Sequence, residues 1–295
     1  MPHLHHAALG SRGWVFLTLI LVLTALVYLR GWLSVRALKV SWGWRAFSFL
    51  GGLLLIWVAV ASPIAGLDHE LLTVHMLQHL LLMTIAPPLI WLGAPVENVL
   101  RGLPWRFVKS SRVRLWRSRA AKKFAKTLGR PEFAWLAACA ALVGWHIPTL
   151  FALGMQSAAW HRFENLSFLA AGLLFWRPVV QPSADASQQN LSMILYLFFA
   201  TLPCDILSGF LAFCDRVVYP MYFSSSHLLG FSPLVDQQCA AALMWTCVTI
   251  VYLLAGAILT MRFLSPQGFP QAGSVRARLP GTEIGHRAAQ SQEAF

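Results

Sequence analysis

Apolar residues in this chain gather into long runs instead of alternating with polar ones. The runs cover about 14–29, 46–64, 71–93, 133–150, 162–176, 191–213 and 239–261, several of them close to the roughly 20 helical residues needed to cross a bilayer core. The first and fifth are shorter than that. Trp14, Tyr28, Trp160 and Trp176 at their ends are side chains that settle at a membrane–water interface. The pattern predicts an all-α, polytopic membrane helix bundle of about seven transmembrane helices, because in hydrocarbon the backbone must satisfy its own hydrogen bonds.

Composition agrees with the pattern. Of 295 residues 57% are hydrophobic and 12% charged, with a mean hydropathy of +0.61, values that exclude an ordinary soluble domain. The net charge of +12 raises a nucleic-acid reading, and the placement of the basic residues answers it. All of the 23 Lys and Arg except Arg12, Arg162 and Arg216 fall in alternate connecting segments, at 30–45, 94–132, 177–190 and 262–295. Basic residues concentrate on the cytoplasmic side, so the N-terminus is expected outside and the C-terminus in the cytoplasm. This divides the chain into a periplasmic N-terminal tail (1–13), a seven-helix membrane domain (14–262) with a basic cytoplasmic loop (101–130), and a disordered cytoplasmic tail (263–295) rich in Pro, Gly, Gln and Arg. The loop holds eleven basic residues and no acidic one, with Trp105, Phe107, Leu115 and Trp116 interleaved. It reads as a topology determinant or an interfacial helix on anionic lipid. No nucleic-acid motif accompanies the charge, and no nucleic-acid partner is expected. The first run has no basic segment before it, so it is expected to remain as a span and not to be cleaved as a signal. Cys139, Cys204, Cys214, Cys239 and Cys247 form no CxxC, and whether Cys204, Cys214 or Cys239 are bridged stays open.

Strongly polar side chains inside hydrocarbon cost roughly 2.5–3.5 kcal/mol each on insertion scales, so each needs a reason. Here they collect at one end of the expected spans. His75, Gln78 and His79 lie in the outer part of span 3, His146 ends span 4, His161 and Glu164 open span 5, and Asp236 stands before span 7. With His3, His5, His6, His69 and His227, nine of the ten histidines are expected outside. His75 and His79, four apart on a helix, project from one face and can converge on a single ion. His161 and Glu164, three apart, do the same. His146 or His161 would complete such a site, and Met76, Met155, Met221, Cys204 and Cys239 add soft donors that favour copper(I). The plainer readings are that His146 hydrogen-bonds across helices, that the methionines pack, and that the N-terminal histidines sit in a loose tail. Asp205, after Pro203, either caps backbone freed by a kink or carries protons. HMLQH is not HExxH, since Met76 stands where a metalloprotease needs its Glu. No nucleophile elbow, phosphate loop or dinucleotide fingerprint is present, and no enzymatic activity is expected.

Four stretches carry a resemblance: HMLQHLLLMTIAPPLIWLGAP (75–95), GWHIP (144–148), HRFENLSFLAAGLLFW (161–176) and DQQCAAALMW (236–245). They resemble the multi-span CtaG family of cytochrome c oxidase assembly factors over about residues 45–262. The resemblance implies a multi-pass protein of the bacterial inner membrane that assists copper delivery to an oxidase subunit from the outer side. Its implied partners are membrane lipids, cytochrome c oxidase subunits and other copper chaperones. Carried over by motif, the metal positions are His75, His79, His146, His161, Glu164 and Asp236. Residues 239–242 depart from a more Gly-rich pattern in that family. The alternatives left open are a haem-binding membrane redox protein, with two histidines on iron, and a copper or proton transporter using Asp205 and Glu164.

Overall fold

The computed structural model describes residues 3–36, 43–104, 127, 129–181, 186–224 and 230–264. Among these the regular structure is helical, without strands. In chain order α1 is His3–Arg36, α2 Gly43–Ala61, α3 Leu72–Leu80, α4 Ala86–Leu92 and α5 Pro95–Gly102. Then come α6 Pro131–His146, α7 Pro148–Gln156, α8 Ala158–Val180, α9 Ala186–Phe213 and α10 Pro233–Leu264.

Helices α3 and α4 form one span joined by a π-helical turn, Leu81–Ile85, and the sequence accounts for it. Pro87 has no N–H to give the carbonyl of Met83, so the regular ladder fails there. That carbonyl is taken from outside the helix by the Trp176 indole N–H at 3.1 Å. Gly172 makes the approach possible, because a Cβ there would stand 2.6 Å from the Met83 oxygen. The α3–α4 span packs against α2, α8 and α10, α8 against α6, α6 against α9, and α9 against α10. Five helical units, α3–α4, α8, α6, α9 and α10, thus close a ring, with α2 and then α1 outside it. Polar residues face the interior, including His75, Gln78, His79, His146, Glu164 and Gln237, while Phe16, Phe47, Ile206 and Leu253 face outward. Apolar outside and polar inside is the arrangement lipid solvent selects.

Five helical segments are long and apolar enough to cross a membrane: Gly13–Ser34, Gly43–Leu67, Leu72–Leu92, Leu191–Phe213 and Pro233–Met261. The run at 133–150, expected as one span, is broken into α6 and α7, which bend by 78° and make a sixth crossing if counted together. The cause is local: Ile147 precedes Pro148 and takes extended geometry (φ −66°, ψ 125°), as a residue before proline prefers. The run at 162–176 lies within α8, a 23-residue helix. Arg162, Glu164 and Asn165 at its start and Arg177 and Pro178 near its end trim its apolar stretch, so α8 does not pass as a crossing by composition. The segment expected as a tail at 1–13 is helical from His3, continuous with the first span. Most of the basic loop, and the C-terminal tail beyond its first two residues, which end α10, lie outside the described residues.

Candidate metal centre

Three elements meet at one end of the ring. The first and last turns of α3 supply His75 and His79, the last residue of α6 is His146, and the first turns of α8 supply His161 and Glu164. Helical spacing puts His75 and His79 on the same face, with Nε2 atoms 2.8 Å apart. Glu164 Oε1 stands 3.5 Å from His75 Nε2 and 3.3 Å from His79 Nε2. These three atoms form a triangle whose edges suit ligands sharing one ion at bond lengths of roughly 2.0–2.2 Å. His161 turns Nδ1 toward Glu164 Oε2 at 3.5 Å and Nε2 toward Asp68 Oδ2 at 3.1 Å. A second group, Asp68, His75 and His161, overlaps the first at His75.

The walls are apolar and close. Phe168 stacks on His79 with centroids 4.1 Å apart, and Phe151 of α7 lies against His75 at 4.9 Å. Gly154, also on α7, backs the carboxylate so tightly that a Cβ would stand 2.8 Å from Glu164 Oε2. His75 and Glu164 are essentially without solvent exposure. Neither Glu164 oxygen has a well-formed hydrogen bond, and neither do His75 Nδ1, His79 Nδ1 or His146 Nε2. Facing Nε2 atoms at 2.8 Å require either a proton between them or a cation that both lone pairs reach. Several orphaned polar atoms around one carboxylate, in a medium where each is costly, fit a bound cation.

Asp68 anchors the outer edge. Gln78 Nε2 donates to the Ala65 carbonyl (3.0 Å) and to Asp68 Oδ2 (3.3 Å), and the Tyr222 hydroxyl donates to the Asp68 carbonyl (2.8 Å). Burial works against the Asp68 charge, but the hydrogen bond and charge of His161, with His69 and His75 nearby, outweigh it and hold the carboxyl below its usual range. Sequence reasoning passed over Asp68. Its signal was a carboxylate in the short loop just ahead of the His75–His79 helix.

His146 belongs to the same end of the ring, its Nδ1 donating to the Leu142 carbonyl at 2.7 Å. It does not join either three-ligand group. Asp236 stands apart. Its carboxylate accepts from the backbone N–H of Leu72 (2.6 Å) and Thr73 (3.1 Å) and from the Thr73 hydroxyl (2.6 Å). It therefore caps the N-terminus of α3 from another helix, and both oxygens are occupied. Beside it Gln237 accepts from Val218 N–H and donates to the carbonyls of Leu211 and Arg216, tying the α9–α10 connection down. All five cysteines are free. Met155 and Met221 pack into the apolar cluster around Phe151 and Tyr219, and Cys239 is exposed. His3, His5 and His6 fall where side chains are outside the described set, as do His227 and His286. Asp205 Oδ1 has no hydrogen-bond partner, and nothing in the structure explains its role.

Fold and site together define a polytopic helical membrane protein with a buried histidine–carboxylate centre at one end. The chain matches the cytochrome c oxidase caa3 assembly factor (CtaG) family over residues 26–265 and belongs to it. It is also similar to an uncharacterized protein of Mycobacterium bovis and one of Mycobacterium tuberculosis, each 24% identical over 249 residues. The alignment covers 79% of this chain and 36% of either relative, so the chain spans little more than a third of their length. No solved structure is significantly similar to it.

Proposed function

We propose that this protein assists assembly of a cytochrome c oxidase by holding copper at the His75–His79–Glu164 centre and passing it to an oxidase subunit. The observation that carries this reading is the buried triangle of His75 Nε2, His79 Nε2 and Glu164 Oε1, in which the two ring nitrogens face each other at 2.8 Å and the carboxylate has no well-formed hydrogen bond. His161, hydrogen-bonded to Asp68, orients the open edge, as outer-shell carboxylates do for ligating histidines. The distribution of Lys and Arg supports an outward-facing centre in a bacterial inner membrane. There the partners are the surrounding lipids, oxidase subunits and copper chaperones that load the site.

Purified full-length protein, titrated with copper, is expected to bind it. The His75→Ala/His79→Ala double variant is expected to lose that binding, and a strain carrying only this variant to show low oxidase activity. Full oxidase activity in a deletion strain would overturn the assembly role. A Soret band from the purified protein would instead assign the histidines to haem.

A further inference from the structure

Beside the centre, lined from every member of the ring, lies a cavity of about 40 Å³. Its wall includes five sulfur side chains from five helical elements: Met76 of α3, Met83 of the π-turn, Cys139 of α6, Cys204 of α9 and Met244 of α10. His79 and His146 line it as well. His146 is 6% exposed, and its Nε2 is buried without a partner while Nδ1 is committed to the Leu142 carbonyl. His79 presents Nε2 to Glu164 and keeps a buried, unpartnered Nδ1 on its other side.

Methionine alone is packing filler, but packing does not account for an imidazole nitrogen left orphaned beside these sulfurs. A polar group buried without a partner costs roughly 1–3 kcal/mol, and although Thr84 and Tyr252 also line the void, neither hydrogen-bonds the His146 Nε2. A soft cation satisfies both the nitrogen and the sulfurs. Thioether and thiol sulfur with imidazole select copper(I), whereas divalent hard ions prefer the carboxylate-containing centre beside it.

We propose that this cavity is a second metal site, taking a cuprous ion bound by His146 Nε2 and two or three of the sulfur side chains that line it, Cys139, Cys204, Met76, Met83 and Met244. His79, which borders both chambers, links it to the Glu164 centre. One cysteine binds as thiolate and gives its proton to water, so the loaded site carries no net charge into a low-dielectric wall. Passage between the two sites is ligand exchange on copper(I), with no change of oxidation state. The inference rests on the proposed copper handling and extends it inward.

The test is X-ray absorption at the copper edge on full-length protein loaded anaerobically with cuprous ion. Sulfur scatterers at the metal are expected in the wild type. They are expected to persist in Glu164→Gln, which disturbs only the Glu164 centre, and to fall in number in Cys139→Ser/Cys204→Ser/Met244→Leu, which leaves only Met76 and Met83 of the set. Copper with nitrogen and oxygen neighbours alone in the wild type would overturn the cavity site while leaving the Glu164 centre standing. Sulfur ligation undiminished in the triple variant would also overturn it, pointing to Cys214, Cys239 or Cys247. Loss of the Glu164 centre's copper with sulfur ligation kept would separate failure of the first reading from failure of this one.

Discussion

Glu164 faces three imidazoles and no backbone donor, so its environment is set by side chains that themselves need positioning. Asp68 supplies that for His161. Asp68→Asn keeps the shape and removes the charge, and metal affinity is expected to fall by about 10–100-fold, as for other outer-shell partners, in a competition titration with a metal indicator. The same pair makes stability pH-dependent. The folded-state Asp68 carboxyl titrates below its unfolded value of about 3.9, so its contribution is present above that pH and is lost as pH falls through the lower folded value. The difference in melting temperature between wild type and Asp68→Asn is expected to be full at neutral pH and to shrink on acidification below about pH 4. At this scale much was legible. The i, i+4 spacing put His75 and His79 on one face, and i, i+3 did the same for His161 and Glu164. Asp68 was not legible, because nothing local links a loop carboxylate to a histidine ninety residues on.

Among the elements, α3 shows most clearly how tertiary structure finishes what sequence begins. Its own N-cap position, Leu71, has no capping side chain, and Asp236 from α10 takes over. The family resemblance put Asp236 with the ligands through the DQQCAAALMW stretch; only the fold reveals that its oxygens are spent on the Leu72 and Thr73 amides and the Thr73 hydroxyl. Asp236→Ala is expected to cost about 0.5–2 kcal/mol, the range for lost caps, seen as a lower melting temperature in detergent. Copper bound per chain should stay unchanged, and a drop in stoichiometry in protein that remains folded would return Asp236 to the ligand set. Where α8 crosses the π-turn, Gly172→Leu is expected to destabilise by about 1–3 kcal/mol or more through overpacking, measured in the same melts. The break after His146 was readable in principle from Ile147–Pro148, yet a hydropathy window smooths over a single proline. The short apolar stretch of α8 likewise shows that a helix whose polar residues face a ring interior scores weakly on composition alone.

For the molecule as a whole, five apolar spans plus the bent α6–α7 pair and α8 form the bundle, and the basic segments alternate along the chain. Reporter fusions after residue 104 and after residue 264 are expected to be active only as cytoplasmic reporters, and a fusion after Phe213 only as a periplasmic one. The reverse pattern would turn the centre toward the cytoplasm. Fold class was readable from the runs because lipid demands helices; the ring order was not, since helix adjacency depends on contacts such as Gly172 on Met83 that no periodicity encodes.

The fold of α7 back over the centre has a consequence for traffic. Phe151 and Gly154 close the site from that side, the ring closes it laterally, and the approach that remains runs past His69, whose side chain is 57% exposed, to His161, at 15%. A visiting donor or acceptor therefore meets a narrow doorway with histidine at its threshold. For the proposed copper carrier the expectation is that loading speed follows how well a partner's own ligands reach that doorway, whatever the affinity within.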